Sequence, residues 1–88
     1  MERFEEKIIV NNEHGLHARP AALFVQITNK YDSTVRLQKE DEVVDAKSII
    51  GILSLGIQKG SSVTLIVEGD DAEDAFRELK EFLEKDHE

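Results

Sequence analysis

The stretch NEHGLHARPAALF, Asn12 to Phe24, sets two histidines three positions apart, then an arginine and the chain's one proline, directly before an apolar run. An imidazole offers a nucleophilic nitrogen at physiological pH. If a helix begins near Ala18, its first N–H groups have no partner inside the helix. Together with the positive end of the helix dipole they make a seat for an anion. His17 lies at the rim of that seat, and Arg19 follows two residues on. Backbone donors and a guanidinium are the groups that stabilise the three oxygens of a phosphoryl group in transfer. The chemistry open to these residues together is to accept a phosphoryl group on His17 and hand it on. Pro20 suits the first turn, where its missing N–H would have found no acceptor.

Other readings compete. A histidine and an arginine beside a helix start also make an ordinary solvated cap, and residue types alone leave that choice open. His14 and His17 have the separation of a helical metal pair, but Gly15 and a turn lie between them. No cysteine or further histidine cluster completes a shell, so neither a metal nor another cofactor is expected. Nothing resembles a nucleophile elbow, which leaves a hydrolytic triad without support.

The elements that would carry this site can be read from hydrophobic period. Glu6 to Asn12, EKIIVNN, predicts a strand ending in a polar turn. Pro20 to Asn29 carries Leu23, Phe24 and Ile27 at helical spacing. TVRLQ alternates Val35 and Leu37 against polar residues, and EDEVVDA supplies a turn and a shorter second strand of a hairpin. Ser61 to Gly69, SSVTLIVEG, is the clearest strand, with Val63, Leu65 and Val67 on one face. In the last helix Ala72, Ala75, Phe76, Leu79, Phe82 and Leu83 form one stripe, with Asp70 and Glu73 as a capping-box-like start. Asp86 to Glu88 are expected to fray. The order β-α-β-β-α-β-α predicts an α/β (α+β) open-faced sandwich, one sheet with helices on a single face.

A second motif stands in the middle of the chain. Ser48 opens SIIGILSLG, a short apolar helix with serine as N-cap and Gly56 just past its end. A serine cap is worth about 1 kcal/mol over alanine. Ile49, Ile50, Ile52, Leu53 and Leu55 cannot all face inward on so short a helix. The outward ones would form a small apolar patch of the kind partners use.

With 88 residues there is room for one core, and hence one domain over 1–88. Forty per cent apolar residues argue for a folded protein. The absence of cysteine excludes a disulfide framework and fits a cytoplasmic setting. No apolar run approaches the roughly 20 residues that span a bilayer, and MERFEEKIIV reads as a strand rather than a leader. A net charge of −8 opposes binding to nucleic acid or anionic membrane and favours partners with basic surfaces. One core consumes most of the apolar inventory, so a monomer is expected.

GLHARPA (Gly15 to Ala21) and KSIIGILSLG (Lys47 to Gly56), in that order and at that separation, resemble HPr, the histidine-containing phosphocarrier family of the bacterial phosphotransferase system. The similarity extends over essentially the whole chain. It implies a four-stranded antiparallel sheet with three helices on one face. It also implies that His17 is phosphorylated on Nδ1 by enzyme I, using phosphoenolpyruvate, and passes the group to sugar-specific IIA domains. Arg19 would attend the phosphoryl group, with Ala18 and Pro20 supporting the helix start. Ser48 matches a regulatory serine phosphorylated in many Gram-positive bacteria by HPr kinase/phosphorylase, with a catabolite control protein as a further partner. Lys47, Ile49, Ile50 and Leu53 would form the docking surface. Such a carrier has no turnover of its own and is not an enzyme.

Two alternatives accompany the resemblance: a regulator in an incomplete or nitrogen-related phosphotransferase system, and an interaction module in which His17 never carries phosphate. Two departures from the family pattern also stand out. Ile50 and Leu53 replace common methionines, which adapt their shape to several partners. Gln26 and Asn29 occupy places where lysines can occur, leaving Lys30, Lys47 and Lys59 as basic candidates.

Overall fold

Alternating β-branched and leucine side chains build the sheet, because successive residues of a strand point to opposite faces. In the computed structural model, which describes residues 2–85, the order is β1 (Glu2–Ile9), α1 (Ala18–Thr28), β2 (Thr34–Lys39), β3 (Glu42–Asp45), α2 (Ile49–Ser54), β4 (Ser62–Gly69) and α3 (Ala72–Glu84). The four strands form one antiparallel sheet in the order β1-β4-β2-β3. Across it Ile8 faces Val63, Val35 faces Val67 and Leu37 faces Leu65, all of them buried. The helices lie on this one face: α3 against β1 and β4, α2 against β3, and α1 against both other helices. Phe24 of α1 meets Phe82 of α3 with ring centroids 5.9 Å apart. On the other face Ile9 and Val43 are exposed, while Ile66 sits between its cross-strand partners Glu5 and Arg36.

Three local expectations are corrected. The first strand begins at Glu2 rather than Glu6 and ends at Ile9. Its alternation was masked because Glu6 takes a place on the helix-covered face, where Lys80 of α3 meets its carboxylate at 2.8 Å. In α1 the buried stripe is Ala21, Phe24 and Thr28, and Leu23 is exposed. A threonine can hold the inner position because its hydroxyl donates to the carbonyl of Val25 at 2.7 Å and lies 3.3 Å from that of Ala46. In α3 the apolar stripe is buried apart from half-buried Phe76, but no capping box forms. Asp71 is the N-cap residue and does not cap. Its carboxylate instead accepts from the amides of Asp32 at 2.8 Å and Ser33 at 2.9 Å, and from the Ser33 hydroxyl. Gly69 permits this close approach, since a Cβ there would stand 2.7 Å from Ser33 Cα. The expectation for Asp86 to Glu88 falls outside the described residues. No helix among the described residues is long and apolar enough to cross a membrane.

A second polar tie holds the helical layer together. Tyr31, after α1, donates its hydroxyl to Glu78 of α3, and Lys30 meets the same carboxylate at 2.8 Å. Lys47, before α2, donates to the Tyr31 carbonyl at 2.7 Å. All three helices therefore reach this one cluster.

Candidate functional site

The loop from β1 to α1 is held at each step. Val10 donates to Ser61 at 2.8 Å, Asn11 donates to Leu83 at the end of α3 at 2.8 Å, and Leu16 donates to Ile57 at 3.0 Å. Between these anchors Asn12 closes a turn. Its carbonyl accepts from Gly15 at 2.9 Å, and its side-chain Oδ1 accepts from the His14 amide at 3.1 Å. Gly15 has φ +63, and a Cβ there would fall on the Ile57 carbonyl oxygen, so the turn requires glycine for both conformation and space. Leu16 is fully buried and pins the chain, and the next residue, His17, emerges exposed.

His17 is the N-cap of α1, in extended conformation, and no side chain caps the helix. The amides of His17, Ala18 and Arg19 thus have no acceptor among the described residues, and position 20, a proline, has no N–H to pair. Ala18 adopts φ +45, a left-handed conformation that costs an alanine about 1 kcal/mol or more. Its neighbours on both sides over-determine it: buried Leu16 behind, and Pro20 with the rest of α1 ahead. The family resemblance marks Ala18 as a supporting residue of the helix start, and residue types carry no signal for this backbone state.

The mouth of α1 opens on a concavity of about 740 Å³. His14, His17, Ala18, Arg19 and Pro20 line one side, with Leu23, Phe82 and Asn12 completing it. The structure therefore brings His17, Arg19, Ala18 and Pro20 together as expected. It adds four residues that sequence reasoning assigned elsewhere: Asn12 to a strand end, His14 to a turn, Leu23 to the core and Phe82 to the helix stripe. An asparagine three residues before a glycine is a turn signature that could have marked Asn12. No carboxylate of the described residues lines the concavity. Among the described residues no three metal-ligating side chains cluster.

The second motif folds as its residues dictate. Ser48 is the N-cap of α2, and its Oγ accepts from the Gly51 amide at 3.2 Å. Gly56 follows the helix with φ +59, and the Lys39 ammonium reaches the carbonyls of Leu55 at 3.3 Å and Gly56 at 3.1 Å. Ile52 and Leu55 turn inward, while Ile49, Leu53 and above all Ile50, 75 % exposed, turn outward. Lys47 does not extend freely from this patch, because its ammonium is bound to the Tyr31 carbonyl. Lys30 is likewise committed to Glu78, whereas Arg19 and Lys59 are exposed and carry no ion pair among the described residues.

Known proteins share this fold. A family model described as the PTS HPr component phosphorylation site matches residues 4–85. An HPr-like protein Crh from Halalkalibacterium halodurans is 46% identical over 82 residues, covering 93% of this chain and 98% of its own. The crystal structure of the phosphocarrier protein HPr from Bacillus anthracis superposes with a TM-score of 0.91 at 41% identity, covering 93% of this chain and 98% of that one. A crystal structure of Bacillus subtilis Crh, a catabolite repression protein described as a dimer with a swapped domain, has a TM-score of 0.74 at 45% identity, covering 89% and 90%. The fold is thus shared over nearly the whole length, and the chain belongs to the HPr family.

Proposed function

We propose that this protein is a cytoplasmic phosphocarrier: His17 takes a phosphoryl group from phosphorylated enzyme I and passes it to a sugar-specific IIA domain. The observation that carries this reading is the mouth of α1, where an exposed histidine precedes leading amides that have no acceptor among the described residues. A lone pair on His17 Nδ1, the family's acceptor atom, forms the new P–N bond as the bond from phosphorus to its donor breaks. The three phosphoryl oxygens travel with the phosphorus, and the amides of Ala18 and Arg19 with the Arg19 guanidinium receive their charge. The onward transfer reverses these events. No carboxylate of the described residues lines the concavity to oppose the group's charge. The domain acts as a carrier without turnover of its own.

Docking falls to the apolar surface of α2 beside the site. Ile49, Ile50 and Leu53 supply the contact, and Arg19 and Lys59 supply positive charge in a chain of net −8. Lys47 contributes by holding the Tyr31 loop in place. We take the working form to be a monomer of one domain, with the swapped dimer described for B. subtilis Crh as the alternative that a sizing experiment would reveal.

A second reading has an observation of its own, the likeness to Crh, an HPr-like protein whose B. subtilis form is described as a catabolite repression protein. On this reading Ser48 is the working residue, phosphorylated by HPr kinase/phosphorylase and read by a catabolite control protein. Phosphate on an N-cap serine lies favourably at the helix dipole, so the modification would change recognition without melting α2. Incubation with enzyme I and labelled phosphoenolpyruvate tests the first reading. Acid-labile, base-stable label on the natural protein and none on His17→Ala would support it; no label, or label kept by the variant, would refute it.

A further inference from the structure

Asn12 follows β1 and lies almost wholly inside the protein, 1 % exposed, yet it shares the concavity at the mouth of α1 with His17 and Arg19. Its side-chain amide has a fixed orientation. Oδ1 accepts from the His14 amide, and turning the group over would set two donors face to face. The nitrogen is therefore committed to the opposite side. Among the described residues, Asn12 Nδ2 is the one buried side-chain nitrogen or oxygen without a hydrogen-bond partner. Burying an amide donor without an acceptor is penalised, and a leucine of similar volume would carry no such penalty. The turn itself accounts for the oxygen and for the main-chain carbonyl, which accepts from Gly15. It does not account for the nitrogen.

Donors gather at this concavity. Arg19, His14 and His17 line it beside Asn12, the amides of His17, Ala18 and Arg19 have no acceptor among the described residues, and no carboxylate of the described residues lines it. A cluster of donors around a hollow that no described carboxylate lines calls for a ligand rich in acceptor oxygens. We infer that Asn12 is part of the phosphoryl site, its Nδ2 donating a hydrogen bond to an oxygen of the phosphoryl group while His17 holds it. The inference rests on the reading of His17 as acceptor. No proton leaves Asn12: the P–N bond forms on His17 and breaks at the donor, and the amide supplies only a hydrogen bond to the dianion. Its donor has no partner among the described residues in the bare protein and gains one in the charged protein. Asn12 thereby favours the phosphorylated state over the bare state, which turn formation alone would not do.

Two measurements test this. In the natural protein, the side-chain NH2 resonances of Asn12 are followed by NMR before and after phosphorylation by enzyme I and phosphoenolpyruvate. Asn12→Asp is then compared in its phosphorylation equilibrium against pyruvate; it keeps the oxygen that accepts from His14 and replaces the donor with a negative charge. The expected results are a downfield shift and slower solvent exchange of the Asn12 amide on phosphorylation, and an equilibrium at least about tenfold less favourable in Asn12→Asp. Should Asn12→Asp fail to fold, Asn12→Leu is expected to show a loss of the same order. Resonances that do not respond in a phosphorylated protein, or a variant with the natural equilibrium, would overturn the role of Asn12 while leaving His17 as acceptor. A natural protein that takes no label at all would overturn both.

Discussion

The amide of Leu16 donates to the carbonyl of Ile57 at 3.0 Å, tying the residue before His17 to the segment that follows α2. The two motifs of the chain, remote in sequence, are thereby fixed to one another through backbone. Gly15 is the residue that lets them approach, with φ +63 and no room for a Cβ against Ile57 and Gln58.

Gly15→Ala is accordingly expected to cost more than about 2 kcal/mol, combining the left-handed conformation with a clash against rigid backbone. Urea unfolding measures the loss. Because the strain falls two residues from His17, the rate of phosphorylation by enzyme I should drop along with stability. Natural stability and rate in the variant would show that the loop does not depend on this contact.

How much of this could be read from the sequence depends on how local each feature is. The Ser48 cap and the Gly56 stop rest on a few adjacent residues, and both form as the residue types predict. The sheet and its helix-covered face follow from the period of Val63, Leu65 and Val67. Long-range partners were not legible. Asp70 and Glu73 look like a capping box, yet Asp71 takes the N-cap and spends its carboxylate on Asp32 and Ser33, some forty positions away. Leu23 looks like core and lines the concavity, because Thr28 takes the inner position once its hydroxyl finds two carbonyls. Asn12 and the left-handed Ala18 belong to a turn shaped by contacts with α3 and the α2–β4 segment, which no window of sequence contains.

Ser48→Ala should destabilise the protein by about 1 kcal/mol, since the amide of Gly51 loses its acceptor. Ser48→Asp should recover most of this, a carboxylate being as good a cap and a favourable charge at a helix start. Thermal unfolding of the three proteins checks the order. Equal stability of all three would mean that the cap contributes nothing to α2.

Tyr31 is the chain's one tyrosine, so its titration can be followed by phenolate absorbance without interference. Its pKa is raised to about 12, chiefly by donation to the Glu78 carboxylate, then by burial and by nearby negative charge. A folded value above the unfolded one of about 10 means stability present below pH 10 and lost as pH rises through 12. Glu78→Gln should move the titration back toward the ordinary value. A natural protein whose tyrosine ionises near pH 10 while still folded would contradict the tie between α1 and α3.

At the acid end Asp71 supplies the matching case. The Ser33 hydroxyl, then the Asp32 amide, hold its carboxyl below the usual range, against a smaller opposing effect of burial. A depressed folded value means stability present above about pH 4 and lost as pH falls through the folded value. Asp71→Asn should melt earlier than the natural protein at neutral pH, and the two melting temperatures should converge in acid. A gap that stays constant from pH 7 to about pH 3 would show that the ionised carboxylate is not what matters.

The central claim, that His17 carries a phosphoryl group in transit, is tested most directly by a chase. The natural protein, labelled by enzyme I and phosphoenolpyruvate and then separated from both, is mixed with unlabelled IIA domains. The account predicts that label leaves His17 and appears on a IIA domain in matching amount, and that His17→Ala supports no transfer. Label that stays on this chain or passes only to water, with every IIA domain tested left unlabelled, would contradict the carrier role.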